Sequence, residues 1–235
     1  MIVTDLHKAY GKHEVLRGVD LELRNGCITA VLGPNGSGKT TLIKCILGMV
    51  IGQQGKIMMN GKDTGHDWQY RSKIGYLPQI ARFPENLKVK ELVAMIRDIR
   101  NQQAETVKLV DIFGLEPYLN KSLGHLSGGT RQKVNILLAF MFDTPCYILD
   151  EPTVGLDPLA LIRFKNLLLE EKQKGKSILM TTHMVHLVEE LADEVIFLLE
   201  GKIYYRGSIE DLKRKYGGAS LEESIANILS MENHA

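Results

Sequence analysis

A glycine-rich segment carries the residues best suited to hold phosphate groups. Residues 33–40 fit the pattern G-x-x-x-x-G-K-[ST], after an apolar strand-like run and before a helical one. Glycines let backbone N–H groups turn toward an anion, and the following helix adds the positive end of its dipole. Lys39 would reach the outer phosphates of ATP, and the Thr40 hydroxyl would hold Mg²⁺. The candidate nucleotide-binding residues are Gly33, Pro34, Asn35, Gly36, Ser37, Gly38, Lys39, Thr40 and Thr41.

A pair of acids provides the second candidate for chemistry. The apolar run Cys146 to Leu149 ends on Asp150 and Glu151, and ligands of open α/β sheets bind at the carboxyl ends of strands. Asp150 would orient the magnesium shell. Glu151 would polarise a water that attacks phosphorus, because phosphoryl transfer depends on positioning and charge stabilisation. On this motif alone, a strand that ends in solvated acids is an equally good interpretation.

A third motif stands shortly before that strand. Residues 126–132 place Ser127 and two glycines, Gly128 and Gly129, at the start of a predicted helix, which makes a second anion site. The chain already has one complete phosphate-binding loop. A second one therefore suggests that this motif serves the nucleotide of another molecule.

This motif resembles the signature of ATP-binding cassette proteins, and the resemblance extends over about the first 215 residues. It implies that two cassettes pack head to tail as a homodimer or mixed pair around two ATP molecules. Each signature would close over the ATP of the partner, with Ser127, Gly128, Gly129 and Thr130 as contacts. Many family members have Gln where this chain has Thr130, so this chain departs from the family pattern at that side-chain contact.

The resemblance also assigns roles to residues that would be unremarkable alone. It implies that the Tyr10 ring stacks on adenine with Val15 packed nearby. Gln79 would contact magnesium and the attacking water, His183 would contact the γ-phosphate, and Asp157 would reach toward the partner. The implied catalytic residues are Glu151, His183 and Gln79, and the implied magnesium ligands are Thr40, Gln79 and Asp150.

Strands that alternate with helices must position these residues. The pattern predicts an α/β fold of the P-loop NTPase (RecA-like) type: a parallel sheet core with an antiparallel β subdomain and an inserted helical lobe. We expect a nucleotide-binding domain over 1–217, with the lobe at about 80–144, and a helical tail over 218–235. Apolar spacing predicts one helical region over Val89–Leu115, a helix from Ser127 to about Phe142, and a helix over Ile162–Lys174.

Composition narrows the function classes. The formal net charge of +1 gives no reason to expect a nucleic-acid partner. No apolar run reaches the length of a membrane span, and the first residues lack the layout of a signal peptide. We therefore expect a cytoplasmic protein, peripheral on the inner face of the cell membrane through a partner. The remaining histidines show no shared ligand spacing and predict no metal site: His7, His13, His66, His125, His186 and His234.

The full motif set in one cassette predicts the ATPase subunit of a membrane transporter, with integral membrane permease subunits as separate chains. DNA-repair and ribosome-binding cassettes would need long insertions or a second cassette. A regulator or scaffold that transports nothing remains open. The segment from Gly207 to Ile225 resembles the end of export-type cassettes. The stretch from Leu126 to Phe142, with Thr144, Pro145 and residues 155–160, resembles the cassette that accompanies nitrous oxide reductase maturation, which is associated with copper-centre assembly.

Overall fold

The computed structural model describes residues 1–65 and 67–232. His66 and His234, two of the histidines considered above, lie outside the described residues. The strands of the described part are β1 Ile2–Tyr10, β2 His13–Glu22, β3 Ile28–Leu32, β4 Gln54–Met59, β5 Lys62–Asp63, β6 Ile74–Leu77, β7 Cys146–Asp150, β8 Ser177–Thr181, β9 Glu194–Leu199 and β10 Lys202–Gly207. The α-helices are α1 Lys39–Ile46, α2 Val89–Arg100, α3 Thr106–Phe113, α4 Gly128–Phe140, α5 Pro158–Gln173, α6 Val185–Leu191, α7 Ile209–Tyr216 and α8 Leu221–Glu232.

The larger sheet has the strand order β10-β9-β3-β8-β7-β6, and all its pairs are parallel except β10 with β9. Every residue of β3, β7 and β8 is buried, as expected for parallel strands that are covered on both faces. Because these strands run in the same direction, their carboxyl ends share one edge. The residues that follow β3, β6, β7 and β8 are thereby brought to that edge.

The smaller sheet is antiparallel, with the order β2-β1-β4-β5. Its first hairpin closes with Tyr10 paired to His13, and Gly11 provides the left-handed turn between them at φ 61°. Tyr10 is therefore the last residue of the first strand. This α/β architecture, with a parallel core and an antiparallel subdomain, is the one the sequence predicted.

The helical region predicted over 89–115 is two helices. Asn101 ends α2 in the left-handed conformation, and the backbone N–H of Glu105 donates to the carbonyl of Met141 at 2.7 Å. That bond ties the connection to the end of α4, so the chain turns before α3 begins. The helix predicted from residue 162 starts earlier, at Pro158, because Asp157 caps it and proline suits a first helical position.

The helical insertion and the C-terminal tail share the core of the larger sheet. Leu92, Phe113 and Phe140 from the insertion, and Leu221 and Ile228 from the tail, belong to the same buried cluster as β3 and β8. Glu189 of α6 holds both C-terminal helices: it accepts from Lys213 of α7 at 2.7 Å and from the backbone N–H of Leu221, at the start of α8, at 3.3 Å. Within the described ranges, no helix is both long and apolar enough to cross a bilayer.

Candidate functional site

The glycine-rich loop joins β3 to α1, and two of its glycines are required by space. A Cβ at Gly33 would lie 2.1 Å from the carbonyl oxygen of Leu198. Gly38 has φ 107°, and a Cβ there would lie 2.9 Å from the carbonyl oxygen of Val15. Larger residues would displace neighbouring backbone at both positions. The backbones of strands β9 and β2 therefore lie so close to the loop that they leave no room for a side chain at these two positions.

Lys39 folds back onto the loop that precedes it. Its Nζ donates to the carbonyl oxygens of Gly33 at 2.6 Å and Pro34 at 3.0 Å. Burial lowers the pKa of the Lys39 ammonium, while the carboxylates of Glu151 and Asp150 oppose that shift. The charge is therefore held at the centre of the loop by weak neutral acceptors, which a phosphate oxygen can replace.

The two acids at the end of β7 are fixed by the neighbouring strand β8. Thr181 donates its hydroxyl to Oδ1 of buried Asp150 at 2.6 Å. The backbone N–H of Glu151 lies 3.1 Å from the Thr181 carbonyl oxygen and 3.2 Å from its hydroxyl. Glu151 itself adopts φ 48°, a left-handed conformation that is costly for a residue with a side chain. The strain turns the chain sharply after Asp150, and the Thr181 bonds hold it.

His183 lies beside Glu151. Its Nδ1 is 2.9 Å from Oε2 of Glu151, an ion-pair distance without hydrogen-bond angles, and its side chain is 72% exposed. The imidazole is thus close to one carboxylate and otherwise open to solvent. It is free to turn toward a ligand that enters from outside.

The loop and the strand ends enclose a cleft of about 320 Å³. Its described lining contains ten of the residues chosen from the sequence, together with one that was not: Val15, Asn35, Gly36, Gly38, Lys39, Thr40, Thr41, Gln79, Asp150, Glu151 and, in addition, His13. His13 is one of the histidines for which the sequence predicted no metal site, and its place in this cleft was not predicted. Its pairing with Tyr10 across the first hairpin is the signal that could have placed it near the nucleotide.

Tyr10 lies outside the described lining of that cleft. Its ring is half exposed, and Nζ of Lys8 lies 5.1 Å from the ring centroid. The exposed part of the Tyr10 ring suits stacking on a planar base. The Lys8 ammonium is already close enough to the ring for a cation–π interaction.

The signature residues are also outside the described lining. Ser127 caps α4, since its hydroxyl accepts from the backbone N–H of Thr130 at 3.2 Å and lies 2.9 Å from the Thr130 hydroxyl. A Cβ at Gly128 would meet nothing within 4 Å, whereas one at Gly129 would lie 2.7 Å from the carbonyl oxygen of Gly155. The open space at Gly128 therefore adjoins an exposed helix N-terminus, which favours an anion.

Asp157 has a local role in this chain. Its Oδ1 accepts from the backbone N–H of Ala160 at 2.8 Å as the cap of α5, and its Oδ2 lies 2.6 Å from Nζ of Lys133. The hydrogen bond from Lys133 lowers the pKa of the Asp157 carboxyl, with a smaller contribution from Ala160. This ion pair links the loop before α5 to α4.

The donor set of the cleft suits a phosphate chain with a magnesium ion. Thr40, Asp150 and Gln79 present a hydroxyl, a carboxylate and an amide to one space, and Mg²⁺ prefers such oxygen ligands alongside substrate phosphates. Within the described residues, the buried hydroxyl of Ser37 makes no hydrogen bond. This hydroxyl is an unused hydrogen-bond donor within the loop, and an anion site requires such donors.

Comparisons with known proteins show which family this chain is similar to. The family model described as ABC transporter matches residues 16–154. The ABC-type transporter ATP-binding protein EcsA of Bacillus subtilis strain 168 is 34% identical over 221 residues, which cover 92% of this chain and 90% of EcsA.

Two further proteins are similar over most of their length. The glutamate/aspartate import ATP-binding protein GltL of Escherichia coli K12 is 34% identical over 209 residues, which cover 85% of this chain and 87% of GltL. Among solved structures, an ATP-binding subunit of an ABC transporter matches at a TM-score of 0.92 and 33% identity, covering 97% of this chain and 98% of that one.

Proposed function

Because the chain belongs to the ATP-binding cassette family of transporter ATPases, we propose that it hydrolyses Mg-ATP as a head-to-tail pair that powers separate membrane subunits. The family assignment makes it a nucleotide-binding ATPase subunit of a transporter. The observation that carries the rest is the cleft in which Lys39, Thr40, Gln79, Asp150 and Glu151 meet.

Binding begins at the loop. The β- and γ-phosphates replace the carbonyl oxygens of Gly33 and Pro34 as partners of Lys39, while the N–H groups of the loop and the N-terminus of α1 face the same anion. Thr40, Asp150 and Gln79 would hold Mg²⁺, which would supply positive charge against the phosphates when bound. Tyr10 offers its exposed ring face to adenine.

Hydrolysis then needs a water aligned with the γ-phosphate. Glu151 accepts a hydrogen bond from that water and polarises it, and the strained backbone at φ 48° directs its carboxylate into the cleft. His183, at present 2.9 Å from Glu151, turns to donate to the γ-phosphate oxygen. A new P–O bond forms to water oxygen as the bond to ADP breaks.

The signature completes the site from a second copy. Ser127, Gly128, Gly129 and Thr130 lie outside the described lining of their own chain's cleft, yet they form an exposed helix N-terminus with open space beside it. A head-to-tail pair brings each of these termini onto the γ-phosphate of the other chain. Turnover therefore depends on closure of the pair.

The membrane partner is proposed to dock beside Gln79. A hollow of about 410 Å³ lies there, and its lining combines the apolar side chains of Ile80, Phe83 and Leu123 with the charged side chains of Arg82, Arg131 and Glu85. Such a mixed apolar and charged surface suits a short helix from permease subunits at the inner face of the membrane. ATP-driven opening and closing of the pair would move that helix.

We further propose export as the direction, and maturation of a copper centre as the process. The support is the export-like C-terminal segment and the likeness of residues 126–142 and 155–160 to the nitrous oxide reductase cassette. GltL bears import in its name, so the direction requires its own test. Inverted vesicles with this chain and the permease encoded beside its gene should accumulate cargo upon addition of ATP; movement in the opposite sense would contradict export.

The ATPase mechanism is tested by Glu151→Gln. We expect ATP binding to persist, a dimer to accumulate with ATP in size-exclusion chromatography with light scattering, and turnover to fall by about 10²-fold or more. Glu200→Gln is the matched control, because Glu200 is another glutamate in the left-handed region, at φ 46°, and lies outside the described lining of the cleft. Rapid hydrolysis by Glu151→Gln would refute the role given to this carboxylate.

A further inference from the structure

Two buried amide side chains on α4 connect the signature helix to both catalytic loops. Gln132 donates its Nε2 to the carbonyl oxygen of Pro152 at 2.8 Å. Asn135 donates its Nδ2 to the carbonyl oxygen of Pro78 at 3.1 Å and approaches Oε1 of Gln132 at 3.4 Å. Both side chains are buried, at 7% and 2% exposure. The pair forms one connected network.

The two carbonyls that accept these bonds flank residues proposed to act on the reacting phosphate. Pro78 immediately precedes Gln79, and Pro152 immediately follows Glu151. A strained backbone such as that of Glu151 persists only where its surroundings over-determine it. Thr181 holds the strained turn from the β8 side, and Gln132 holds it from the α4 side. Asn135 fixes the exit of β6 in the same way.

The same helix carries the signature and contacts the next loop. Ser127 caps α4, Gly129 lies against the carbonyl of Gly155, and Lys133 pairs with Asp157. Residues 129, 132, 133 and 136 fall on neighbouring turns of one helical face, and Asn135 is one turn from Gln132. Any tilt of α4 that seats Ser127 on a phosphate must therefore act on the backbone beside Gln79 and Glu151.

We propose that Gln132 and Asn135 are positioning residues, which couple the positions of Glu151 and Gln79 to the position of the signature helix α4. The inference rests on the proposed roles of those two catalytic residues. Neutral amides suit the task, because they satisfy buried carbonyls without the cost of burying a charge. When the N-terminus of α4 contacts the nucleotide bound to the partner chain, the helix thereby adjusts the positions of Glu151 and Gln79, which face the nucleotide bound to their own chain.

A purely structural role for the pair makes a different prediction, so the test compares catalysis with stability. Asn135→Leu and Gln132→Met keep the approximate size of each side chain and remove its donor. Each should lower kcat by about tenfold with KM for ATP changed by less than about twofold, as expected for misplaced catalytic groups. The double variant should lose little more than either single one, because the two amides act as a unit.

Val134→Ala is the matched control. Val134 lies between the two amides on α4 and is fully buried in the core, so its truncation weakens the packing of the helix without touching either carbonyl. We expect a lower Tm and a kcat close to that of wild type. If Asn135→Leu does not fold, Asn135→Ala removes the same donor with less volume, and binding of a fluorescent ATP analogue verifies its fold.

The proposal is overturned if the amide variants keep kcat within about twofold of wild type, or lose no more than Val134→Ala at an equal loss of Tm. Its failure is separable from that of the proposed mechanism. An inactive Glu151→Gln beside active amide variants would remove only the positioning role. An active Glu151→Gln would remove the mechanism itself.

Discussion

The loop at 33–40 and the signature at 127–130 are built alike and surrounded differently. Both place glycines and a hydroxyl at the N-terminus of a helix, α1 and α4. Around the first, the ends of β6 and β7 deliver Gln79, Asp150 and Glu151 into one cleft. Around the second lie an open space at Gly128 and the backbone of Gly155.

These surroundings determine what each region can do alone. A helix N-terminus attracts an anion, but hydrolysis also needs a cation for the phosphates and a carboxylate for water. The loop has both, in Lys39 and Glu151. The signature can only supply donors to a nucleotide held elsewhere. In the proposed mechanism, the first region is a binding site, and the second is the closing half of a site on a second chain.

The largest expected effect comes from separating the two regions on different chains. Lys39→Ala should disable the loop and Ser127→Arg should block the signature, so either protein alone should show almost no turnover. When they are mixed, each mixed dimer has one site built from an intact loop and an intact signature. With independent sites, an equimolar mixture should recover up to roughly a quarter of wild-type turnover. The measurement is phosphate release after mixing.

The control is a mixture of Lys39→Ala with Glu151→Gln, two chains that both keep the wild-type signature. One chain has a defective loop and the other lacks the carboxylate that serves the same half of the site, so no pairing yields an intact site, and turnover should stay near background. Recovery of turnover in this control would contradict the division of the site between chains. The absence of recovery in the first mixture would contradict it too, provided that light scattering shows that dimers have formed after mixing.

The sequence predicted the two regions unequally well. The loop and the acid pair could be assigned because each chemical group lies within a short, regular motif, and parallel strands must bring their ends together. The contacts of α4 could not. Gln132 and Asn135 meet Pro152 and Pro78 across 20 and 57 residues of chain, and nothing local distinguishes a buried amide from a solvated one.

The boundaries predicted for the helical region at 89–115 were wrong for a similar reason. The apolar spacing over 89–115 is helical throughout, but the bond from Glu105 to Met141 is a tertiary contact and decides where the chain turns. His13 was overlooked because a lone histidine carries no signal until the hairpin with Tyr10 is known. The likeness to known cassettes supplied Tyr10, Gln79 and His183, which physical reasoning on single residues would have left unassigned.

A smaller effect should separate the two glycines of the signature. Gly129→Ala forces a Cβ to 2.7 Å from the Gly155 carbonyl oxygen, so we expect both stability and turnover to fall, with an overpacking cost of about 1–3 kcal/mol. Gly128→Ala meets nothing within 4 Å in the single chain, so its stability should be equal or slightly higher. Its turnover should nevertheless drop by about tenfold, because the methyl occupies space reserved for the nucleotide of the partner.

Urea unfolding and steady-state turnover measure the two quantities on the same preparations. Full activity of Gly128→Ala would mean that the open space receives no ligand, and the signature would lose its place in the proposed site. Equal losses of stability in both variants would instead show that the environments of the two glycines do not differ.

The smallest expected effect concerns Asp157, which joins the signature helix to the next loop. Asp157→Asn keeps a residue that caps α5 well and removes only the charge that faces Lys133. Half-exposed pairs of this kind contribute below about 1 kcal/mol, so urea unfolding at pH 7 should detect a small loss. Asp157→Ala is the control, and it should cost about 1 kcal/mol more because the cap is lost as well.

The stabilisation from the Asp157–Lys133 ion pair should depend on pH in a defined direction. Lys133 and the Ala160 N–H lower the pKa of the Asp157 carboxyl in the folded chain, so its contribution is present above the unfolded value of about 4 and is lost as pH falls through the folded value below it. The difference in unfolding free energy between wild type and Asp157→Asn should therefore be constant from pH 7 to 5 and shrink below about pH 4. A difference that does not shrink below about pH 4 would assign the stability to capping alone. A difference that disappears in a Lys133→Met background at pH 7 would assign it to the ion pair that holds this loop against α4.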